Sequence, residues 1–310
     1  MLNTFIKSKC NGIQCLRKIH LSELRDKHII VDTSIYMYKF MLDNGIYEGF
    51  YNMCSIFIKY NITPLFVFDG KPPKEKEDEL RKRSEDKKKA EATYNILKHK
   101  LKENKNDDDI EEIEQQMYNL RKKFVRVRTT DIDIVKSIID AFGLQYMNAP
   151  NESDELCAYY ALNNKVYAVM SEDMDMFIYG CPIVIRYLSV LKENCIVYNS
   201  VNIIKKLNMT EEHFKQMCIL SGTDYKKQTD KNIFNFYRGY FMFQRSQEES
   251  LFKYFSSDQE DVNELNHIRD MFNVKNNEEL SKYGNINIEN KPMDMNKIKE
   301  IMETDNFIFI

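Results

Sequence analysis

The chain of 310 residues contains little histidine and no closely spaced pair of cysteines. Its five histidines lie at no ligand-like spacing from one another, and none of its seven cysteines forms a CxxC motif with another. A zinc site and a disulfide framework are therefore disfavoured, and any metal ion must be held by oxygen ligands. Because several cysteines lie within apolar segments, we expect buried free thiols and a reducing, intracellular location.

Long apolar runs are also missing from the sequence. No stretch approaches the roughly 18 apolar residues that span a bilayer, so we expect no membrane partner. The first nine residues lack the apolar centre of a secretory signal. They predict a disordered extension, and because no acid occurs before Glu23, an organelle-targeting segment is the weaker alternative.

The net charge of −3 at pH 7 argues mildly against a general nucleic-acid binder, but the basic residues are unevenly distributed. Between Lys71 and Lys105, thirteen basic residues outnumber eight acidic ones. A second basic group comprises Arg121, Lys122, Lys123, Arg126 and Arg128. Basic runs are often only the solvated face of a helix. Beside a cluster of carboxylates, however, they favour a phosphate-bearing partner.

Three short apolar runs each lead to an aspartate, and this recurrence is the most informative feature of the chain. The runs are residues 29–32, residues 65–69, and residues 166–170 with Asp173 and Asp175 just beyond. Runs of four or five apolar residues between polar turns are typical of strands that are buried on both faces, as in a parallel sheet. Ligands of such sheets bind beyond the carboxyl ends of the strands, where these aspartates would meet.

The remaining pattern predicts an α/β protein with a mostly parallel central sheet flanked by helices. Further strands are expected at residues 183–187 and 195–198, and helices at residues 51–60, 130–142 and 210–220. Apolar residues spaced three or four apart run from Ala90 to Leu101 and again from Ile110 to Phe124. They predict an antiparallel helical hairpin, which alone is equally consistent with an inert surface element. The C-terminal region is predicted to be helical and rich in aromatic residues, and it ends in a polar tail.

Seven acidic residues lie at predicted element ends on the crevice side. They are Asp32, Asp69, Glu152, Asp154, Asp173, Asp175 and Asp224. Taken singly, each has an ordinary explanation as a turn residue, a helix cap or a solvated charge. Together they form a cluster of like charges that cations must neutralise. Oxygen ligands favour Mg²⁺, and two ions roughly 3.5–4 Å apart suit in-line displacement at phosphorus.

Several motifs occur in the order found in the flap endonuclease/XPG-type 5′-nuclease family, which the chain resembles from about Gly12 onward, fading after Tyr225. The motifs are Asn11-Gly12-Ile13-Gln14-Cys15-Leu16, Val31-Asp32-Thr33-Ser34, Val67-Phe68-Asp69-Gly70-Lys71-Pro72-Pro73, Leu80-Arg81-Lys82-Arg83-Ser84, Ala149-Pro150-Asn151-Glu152-Ser153-Asp154, Ser171-Glu172-Asp173-Met174-Asp175 and Gly222-Thr223-Asp224-Tyr225. The third and sixth motifs are the most specific.

The resemblance implies a PIN-like nuclease core of residues 1–225, with a helical arch at about residues 74–128, followed by a helical C-terminal region of residues 226–310. It implies 5′-flap endonuclease and 5′–3′ exonuclease activity on DNA near single-strand/double-strand junctions, in replication, repair or recombination. Two Mg²⁺ ions, which Mn²⁺ can replace, would be held by the seven acids. Asp154 stands where the family usually has Glu, which shortens its reach.

The resemblance also assigns roles to basic and aromatic residues. Lys76 and Arg83 would contact the scissile phosphate from one face of the arch, since they lie about two helical turns apart. Tyr38 would stack on a base beside the cleavage site, a contact that tolerates any sequence. The basic residues expected to contact nucleic acid are Lys71, Lys87, Arg126 and Arg128.

Two departures from the family pattern bear on the substrate. Gly12 follows eleven residues where the family usually has only Met, and residues 223–238 contain no glycine. The family uses a glycine-bearing hairpin there to hold duplex phosphates with a K⁺ ion, and close backbone approach needs residues without Cβ. We therefore expect an altered duplex contact. The tail contains no sliding-clamp motif.

Two alternative functions stay open at this level. One is an endoribonuclease that cuts messenger RNA with the same site, as some viral relatives do. The other is a non-catalytic nucleic-acid-binding protein, which seven mutually repelling carboxylates argue against. The abundance of Asn, Lys, Ile and Tyr suggests an A+T-rich genome and a large DNA virus as a source. The expected location is then a cytoplasmic replication site, or the nucleus for a cellular protein.

Overall fold

The computed structural model describes residues 1–10, 12, 14–43, 45–72, 76–103, 107–225, 231–256, 258–284, 286–305 and 307, without the side chains of residues 78, 79, 102, 103, 107–109 and 111. The strands are β1 (Leu16–His20), β2 (His28–Asp32), β3 (Thr63–Phe68), β4 (Gln145–Asn148), β5 (Ala168–Met170), β6 (Ile183–Ser189) and β7 (Asn194–Asn199). The helices of the N-terminal half are α1 (Leu2–Lys9), α2 (Thr33–Leu42), α3 (Ile46–Lys59), α4 (Glu77–Glu103), α5 (Asp107–Phe124) and α6 (Thr129–Ala141). Those of the C-terminal half are α7 (Ser153–Leu162), α8 (Asp175–Tyr179), α9 (Ser200–Lys206), α10 (Glu211–Leu220), α11 (Ile233–Phe243), α12 (Leu251–Phe255), α13 (Gln259–Met271), α14 (Glu278–Ser281) and α15 (Met295–Glu303).

The seven strands form one sheet in the order β1-β7-β6-β5-β2-β3-β4. The five strands from β6 to β4 are mutually parallel, and β7 and β1 add an antiparallel edge. The α/β, mostly parallel architecture predicted from the sequence is confirmed. Strand β2 has β3 on one side and β5 on the other, so the carboxyl ends of all three strands lie next to one another. This is the edge at which such sheets bind ligands.

Both faces of the sheet are covered by apolar side chains, as the unbroken apolar runs predicted. In β2, Ile30 packs into one core cluster, while Ile29 and Val31 pack into the other. Strand β3 alternates in the same way, with Leu65 on one face and Phe66 on the opposite face. Side chains of a strand point alternately to the two faces, so a strand buried on both must be apolar throughout.

The predicted helical hairpin is present as α4 and α5, which pack against each other. The ring of Tyr94 in α4 meets that of Phe124 at the end of α5, with centroids 5.2 Å apart. At the base of the hairpin, Arg126 lies 3.1 Å from Glu91 of α4. Residue 74, where the arch was predicted to begin, lies outside the described residues.

The prediction of a disordered N-terminal extension is wrong, because residues 2–9 form helix α1. Phe5 and Ile6 are fully buried. The Phe5 ring contacts those of Phe234 and Tyr237 in α11, with centroids 5.3 and 5.2 Å apart. An eight-residue helix is marginal alone and needs tertiary packing, and its partner lies more than 200 residues away in sequence.

The polar C-terminal tail also packs on the core. Gly143 ends α6 with a left-handed φ of +70°, and a Cβ there would lie 2.1 Å from the carbonyl oxygen of Lys291. The returning chain bonds to this turn, since Lys291 N donates to Gly143 O over 2.7 Å. Within this tail, helix α15 buries Ile298 and Met302. The boundary between a core of 1–225 and a region of 226–310 stays a prediction.

The local predictions for helix ends and cysteines are confirmed. The Thr210 side chain caps α10 by accepting a hydrogen bond from His213 N over 3.1 Å. All seven cysteines are buried free thiols. Within the described ranges, no helix has both the length and the apolar composition needed to cross a membrane.

Candidate functional site

The structure places the seven predicted acids at the carboxyl edge of the parallel strands. Asp32 is the last residue of β2, and Asp69 follows β3 directly. Glu152 and Asp154 flank the first residue of α7, which follows β4. The other three acids come from the chain after β5 and after α10, and they are Asp173, Asp175 and Asp224. This convergence was expected from the strand-end pattern, and the order β5-β2-β3-β4 provides it.

Two buried serines, which the sequence reasoning did not single out, tie the acids together. The Ser153 hydroxyl donates to Asp32 Oδ1 over 2.8 Å, and its backbone N–H donates to Asp69 Oδ1 over 2.8 Å. The Ser171 hydroxyl donates to Asp32 Oδ2 over 2.9 Å. Both serines lie inside motifs quoted above, next to acids, which was the available signal. They fix the rotamer of Asp32 and couple three strand ends.

Gly70 permits the close approach that brings Asp69 to the start of α7. A Cβ at this position would lie 2.2 Å from the carbonyl oxygen of Ala149 and 2.7 Å from that of Pro150. The Gly70 N–H donates to Asn151 O over 2.6 Å. The obstructing atoms belong to the backbone, so no side-chain rotation relieves the contact. Only glycine fits here without moving the loop that carries Glu152.

We therefore expect Gly70→Ala to impair the site more than a surface glycine substitution does. Separation of the two loops should break the Ser153–Asp69 hydrogen bond and reduce the activity of the site by up to about 100-fold, because a misplacement of about 1 Å can cost that much. The melting temperature should also fall. Gly12→Ala is the matched control, because no atom lies within 4 Å of a Cβ there. Equal activity and equal melting temperatures of the two variants would contradict this assignment.

Three of the carboxylates have raised pKa values because they are buried beside other acids. Burial, with the neighbouring charge of Asp69, raises the pKa of Asp32 to about 7. Burial and the charge of Glu152 raise the pKa of Asp154 well above its ordinary value. Burial, Asp173 and Asp224 do the same to the pKa of Asp175. Groups that resist ionisation in this way are stabilised as carboxylates by nearby cations.

Two basic residues of the arch base supply such cations. The Lys76 ammonium is buried, 2.5 Å from Glu152 Oε2 and 3.6 Å from Asp224 Oδ2. Burial alone lowers the pKa of Lys76, but the carboxylates of Asp154 and Glu152 outweigh it and raise the pKa. Arg83 Nη2 lies 2.8 Å from Asp224 Oδ2. Both predicted phosphate contacts therefore lie against the acid cluster.

A cleft of about 520 Å³ opens beside the acids under the hairpin. Its lining residues are Tyr38, Asp69, Gly70, Pro72, Leu80, Arg83, Ser84, Lys87, Arg126 and Glu152. The half-exposed Tyr38 ring lies 5.6 Å from the Lys87 ammonium. Four predicted contacts, Tyr38, Arg83, Lys87 and Arg126, therefore share one cleft. Lys71 and Arg128 are exposed but do not line it.

The donor set fits a hard divalent cation. Its donors are carboxylate oxygens, which are the ligands that Mg²⁺ prefers, and the raised pKa values of Asp32, Asp154 and Asp175 mark a deficit of positive charge. Among the residues that the structure describes, no three His, Cys, Asp or Glu side chains are already grouped closely enough to hold an ion. The Lys76 ammonium lies between Glu152 and Asp224 instead. Metal binding would therefore require side-chain adjustment within the cluster.

A parallel sheet with acids at its carboxyl edge, below a helical hairpin, defines the PIN-like nuclease class. The chain belongs to the XPG/flap endonuclease family: the model of the XPG N-terminal domain matches residues 2–90, and that of the XPG I-region matches residues 143–224. The predicted family is confirmed. Nucleases of this family are metal-dependent.

Curated relatives and solved structures agree with this assignment. Flap endonuclease 1 of Lodderomyces elongisporus is 31% identical over 243 residues, which cover 72% of this chain and 60% of the relative. That of Glycine max is 34% identical over 218 residues, covering 64% of this chain and 54% of the relative. The chain thus spans less than two thirds of the length of these relatives.

The fold is shared with structures of distant sequence. Flap endonuclease-1 from Methanococcus jannaschii has a TM-score of 0.61 at 20% identity, over 94% of this chain and 90% of its own. The catalytic core of Rad2 in complex with DNA substrate has a TM-score of 0.58 at 20% identity, covering 96% and 93%. GEN1 with product DNA and a Mg²⁺ ion has a TM-score of 0.52 at 18% identity, covering 96% and 67%. At these identities the likeness establishes the fold.

Proposed function

We propose that the protein is a structure-specific 5′-nuclease that hydrolyses DNA phosphodiester bonds near single-strand/double-strand junctions, with 5′ flaps as preferred substrates. The observation that carries the proposal is the contact of Lys76 and Arg83 with Glu152 and Asp224 of the acid cluster, at the base of a helical arch. Acids alone would bind cations, and basic residues alone would bind phosphate. Their contact supports a cation site next to a phosphate site, as metal-assisted phosphoryl transfer requires.

In this proposal the seven acids hold two Mg²⁺ ions, which Mn²⁺ can replace. The acids are Asp32, Asp69, Glu152, Asp154, Asp173, Asp175 and Asp224. When bound, the ions would supply an activated water and neutralise charge that develops on the phosphate. The hydroxyls of Ser153 and Ser171 keep the Asp32 oxygens oriented, and the crowding of the acids is relieved once cations are present.

The basic residues act on the phosphate in the same proposal. Lys76 and Arg83 neutralise acids in the free protein and turn to the scissile phosphate when nucleic acid is bound. Arg83 has the freedom to do so because half of its side chain is exposed. The planar guanidinium suits bidentate phosphate contact, whereas Lys76 contributes a compact charge.

The cleft beside the acids gives the single strand a path. Tyr38 would stack on the base next to the cleaved bond, and Lys87 and Arg126 would follow the backbone. Lys71 and Arg128 would contact phosphates outside the cleft. The helical C-terminal region of residues 226–310 would support the duplex side. Residues 226–230 of its glycine-free segment lie outside the described residues, so the altered duplex contact stays a prediction.

A side-by-side cleavage assay tests this function. The full-length chain is incubated with a 5′-flap DNA, a nicked duplex and a capped RNA, each in Mg²⁺, in Mn²⁺ and in EDTA. We expect fastest cleavage of the flap DNA near its junction, slower exonuclease action on the nicked duplex, and no cleavage in EDTA. Cleavage of the flap in EDTA would contradict the metal requirement.

The same assay separates the alternative functions. Preferential cutting of the capped RNA would replace the DNA nuclease by an endoribonuclease that uses the same acids, and the departure in residues 223–238 is the feature that favours it. Binding of all three substrates without cleavage would identify a non-catalytic nucleic-acid-binding protein. As a DNA nuclease, the protein would act in replication, repair or recombination. Its location would then be the nucleus, or a cytoplasmic replication site for a viral protein.

A further inference from the structure

A buried arginine behind the acid cluster has no part in the function proposed above. Arg186 lies in β6, next to β5, and only 5% of its surface is exposed. An isolated buried guanidinium is costly because water cannot solvate its charge. The side chains and carbonyl groups around it must therefore compensate that charge, and their positions show what the arginine holds.

Within the described part of the chain, the guanidinium makes its polar contacts with Glu172 and Met174. Arg186 Nη2 donates to the carbonyl oxygen of Glu172 over 2.5 Å, and Nη1 contacts the sulfur of Met174. Arg186 Nε lies 3.6 Å from Glu172 Oε2, an ion-pair distance. Two nitrogens of one planar group thus hold the two residues on either side of Asp173, and the third, Nε, adds an ion pair without a hydrogen bond. Only arginine offers this fixed, divergent set of donors.

The other side of the arginine is closed by Tyr187 of its own strand and by the Tyr198 ring of β7. Glu172 Oε1 accepts a hydrogen bond of 2.5 Å from Tyr187 N, and Tyr187 has a left-handed φ of +56°. That conformation is uncommon for a bulky residue and marks a locally constrained backbone. The guanidinium carbon lies 5.1 Å from the Tyr187 ring and 5.7 Å from the Tyr198 ring. The arginine therefore cannot shift without disturbing two strands.

The turn held in this way carries acids of the candidate metal site on its front. Asp173 N donates to the Ser171 hydroxyl, which in turn donates to Asp32 Oδ2. Asp173 Oδ1 accepts from Asp175 N over 2.8 Å. The turn residues thus contact the acid cluster on one side and Arg186 on the other.

We infer that Arg186, with Glu172, is a positioning residue that sets the spacing of the Asp173 and Asp175 carboxylates for cation binding. The inference rests on the proposed function only in taking these two acids as cation ligands. Arg186 touches neither the phosphate nor the cation, so its loss acts on metal affinity first. Outer partners of metal ligands typically change affinity by about 10–100-fold when removed.

The test compares Arg186→Met, which keeps the apolar stem, with Arg186→Lys, which keeps the charge. Mn²⁺ binding to the full-length protein is measured by calorimetry, and folding is checked by thermal melting in EDTA. We expect Arg186→Met to weaken Mn²⁺ binding by about 10–100-fold, with a matching rise in the Mg²⁺ concentration for half-maximal cleavage. Arg186→Lys should recover only a minor part of the affinity, because one ammonium cannot make the three contacts.

Arg17→Met is the matched control, since Arg17 is an exposed arginine in β1 that pairs with Glu23 at 3.0 Å. It should bind Mn²⁺ like the wild type. A folded Arg186→Met protein with wild-type Mn²⁺ affinity would overturn the inference, as would full recovery by Arg186→Lys. If Arg186→Met does not fold, Arg186→Lys and Glu172→Gln decide, and wild-type affinity in both would overturn it.

The outcome is separable from that of the proposed function. A wild-type protein that binds Mn²⁺ but cuts none of the three nucleic acids would refute the nuclease, while the affinity series would still support or overturn the role of Arg186. A wild-type protein that binds no Mn²⁺ would overturn the positioning role itself.

Discussion

Asp175→Asn should reduce flap cleavage in Mg²⁺ by about 10³-fold or more while the protein stays folded. Asp175 begins α8 beside Asp173 and faces Asp224, where it would hold a cation. Asparagine keeps the shape and one oxygen but removes the charge. Loss of charge stabilisation at the reacting phosphate typically costs two to three orders of magnitude, and loss of a cation adds to this. Single-turnover cleavage of a 5′-flap DNA measures the effect.

The melting temperature in EDTA gives this prediction a control against misfolding. Because burial and the charges of Asp173 and Asp224 raise the pKa of Asp175, its ionisation opposes folding in the metal-free protein. The folded state holds the proton more tightly than the unfolded state, so this group lowers stability as pH rises from about 4 toward its folded-state pKa. Asp175→Asn should therefore melt higher than the wild type, by a margin that is small at pH 5 and larger at pH 8.

Asp140→Asn provides the matched surface change, since Asp140 is an exposed residue of α6. It should cleave at the wild-type rate. Unchanged cleavage by Asp175→Asn with Mg²⁺ supplied would show that the two-metal assignment is wrong. A lower melting temperature at pH 8 would show that Asp175 serves the fold and not cation binding.

Arg83→Ala should slow single-turnover cleavage by about 10²–10³-fold, the usual range for a group that stabilises charge in the transition state. Arg83 Nη2 lies 2.8 Å from Asp224 Oδ2, and Arg83 lines the cleft below the arch. Half of its side chain is exposed, so truncation should leave the fold intact. The measurement is the maximal cleavage rate at saturating protein, with flap affinity determined separately in EDTA.

Arg81→Ala is the control on the same helix. Residues two apart on a helix do not share a face. Arg81→Ala should alter flap affinity modestly and leave the maximal rate unchanged. If Arg83→Ala weakened only binding, with an intact single-turnover maximum, its role would be electrostatic capture of nucleic acid and not catalysis.

Much of the fold and of the candidate site could be predicted from the sequence. The apolar runs before Asp32 and Asp69 indicated strands buried on both faces, because a strand of a parallel sheet has no solvated side. The three- and four-residue spacing around Tyr94 and Phe124 indicated paired helices, because that spacing places side chains on one helical face. Thr210 marked a helix start because its hydroxyl can satisfy a free backbone N–H. These signals are local, because each depends only on residues that are close together in sequence.

Other features depended on contacts between distant segments. Helix α1 was missed because its stability comes from Phe5 packing on α11, not from its own residues. Gly70 was visible as part of a family motif, but the need for glycine there arises from carbonyl groups at residues 149–151. The burial of Lys76 between Glu152 and Asp224 was likewise not predicted, because Lys76 stands in a highly charged stretch of the kind that is typical of an exposed surface.

The sequence by itself determined which residues form strands and helices and which acids stand at their ends. Each element has its own periodicity, and the burial of its side chains therefore produces a local pattern of apolar and polar residues. Only the tertiary structure decided that β2 lies between β3 and β5, which brings acids more than 100 residues apart onto one edge of the sheet. It alone decided that Ser153 joins Asp32 to Asp69 and that Arg186 supports the turn beside them. The physical reason is that a polar group becomes costly, and so needs a particular partner, only when packing removes it from water.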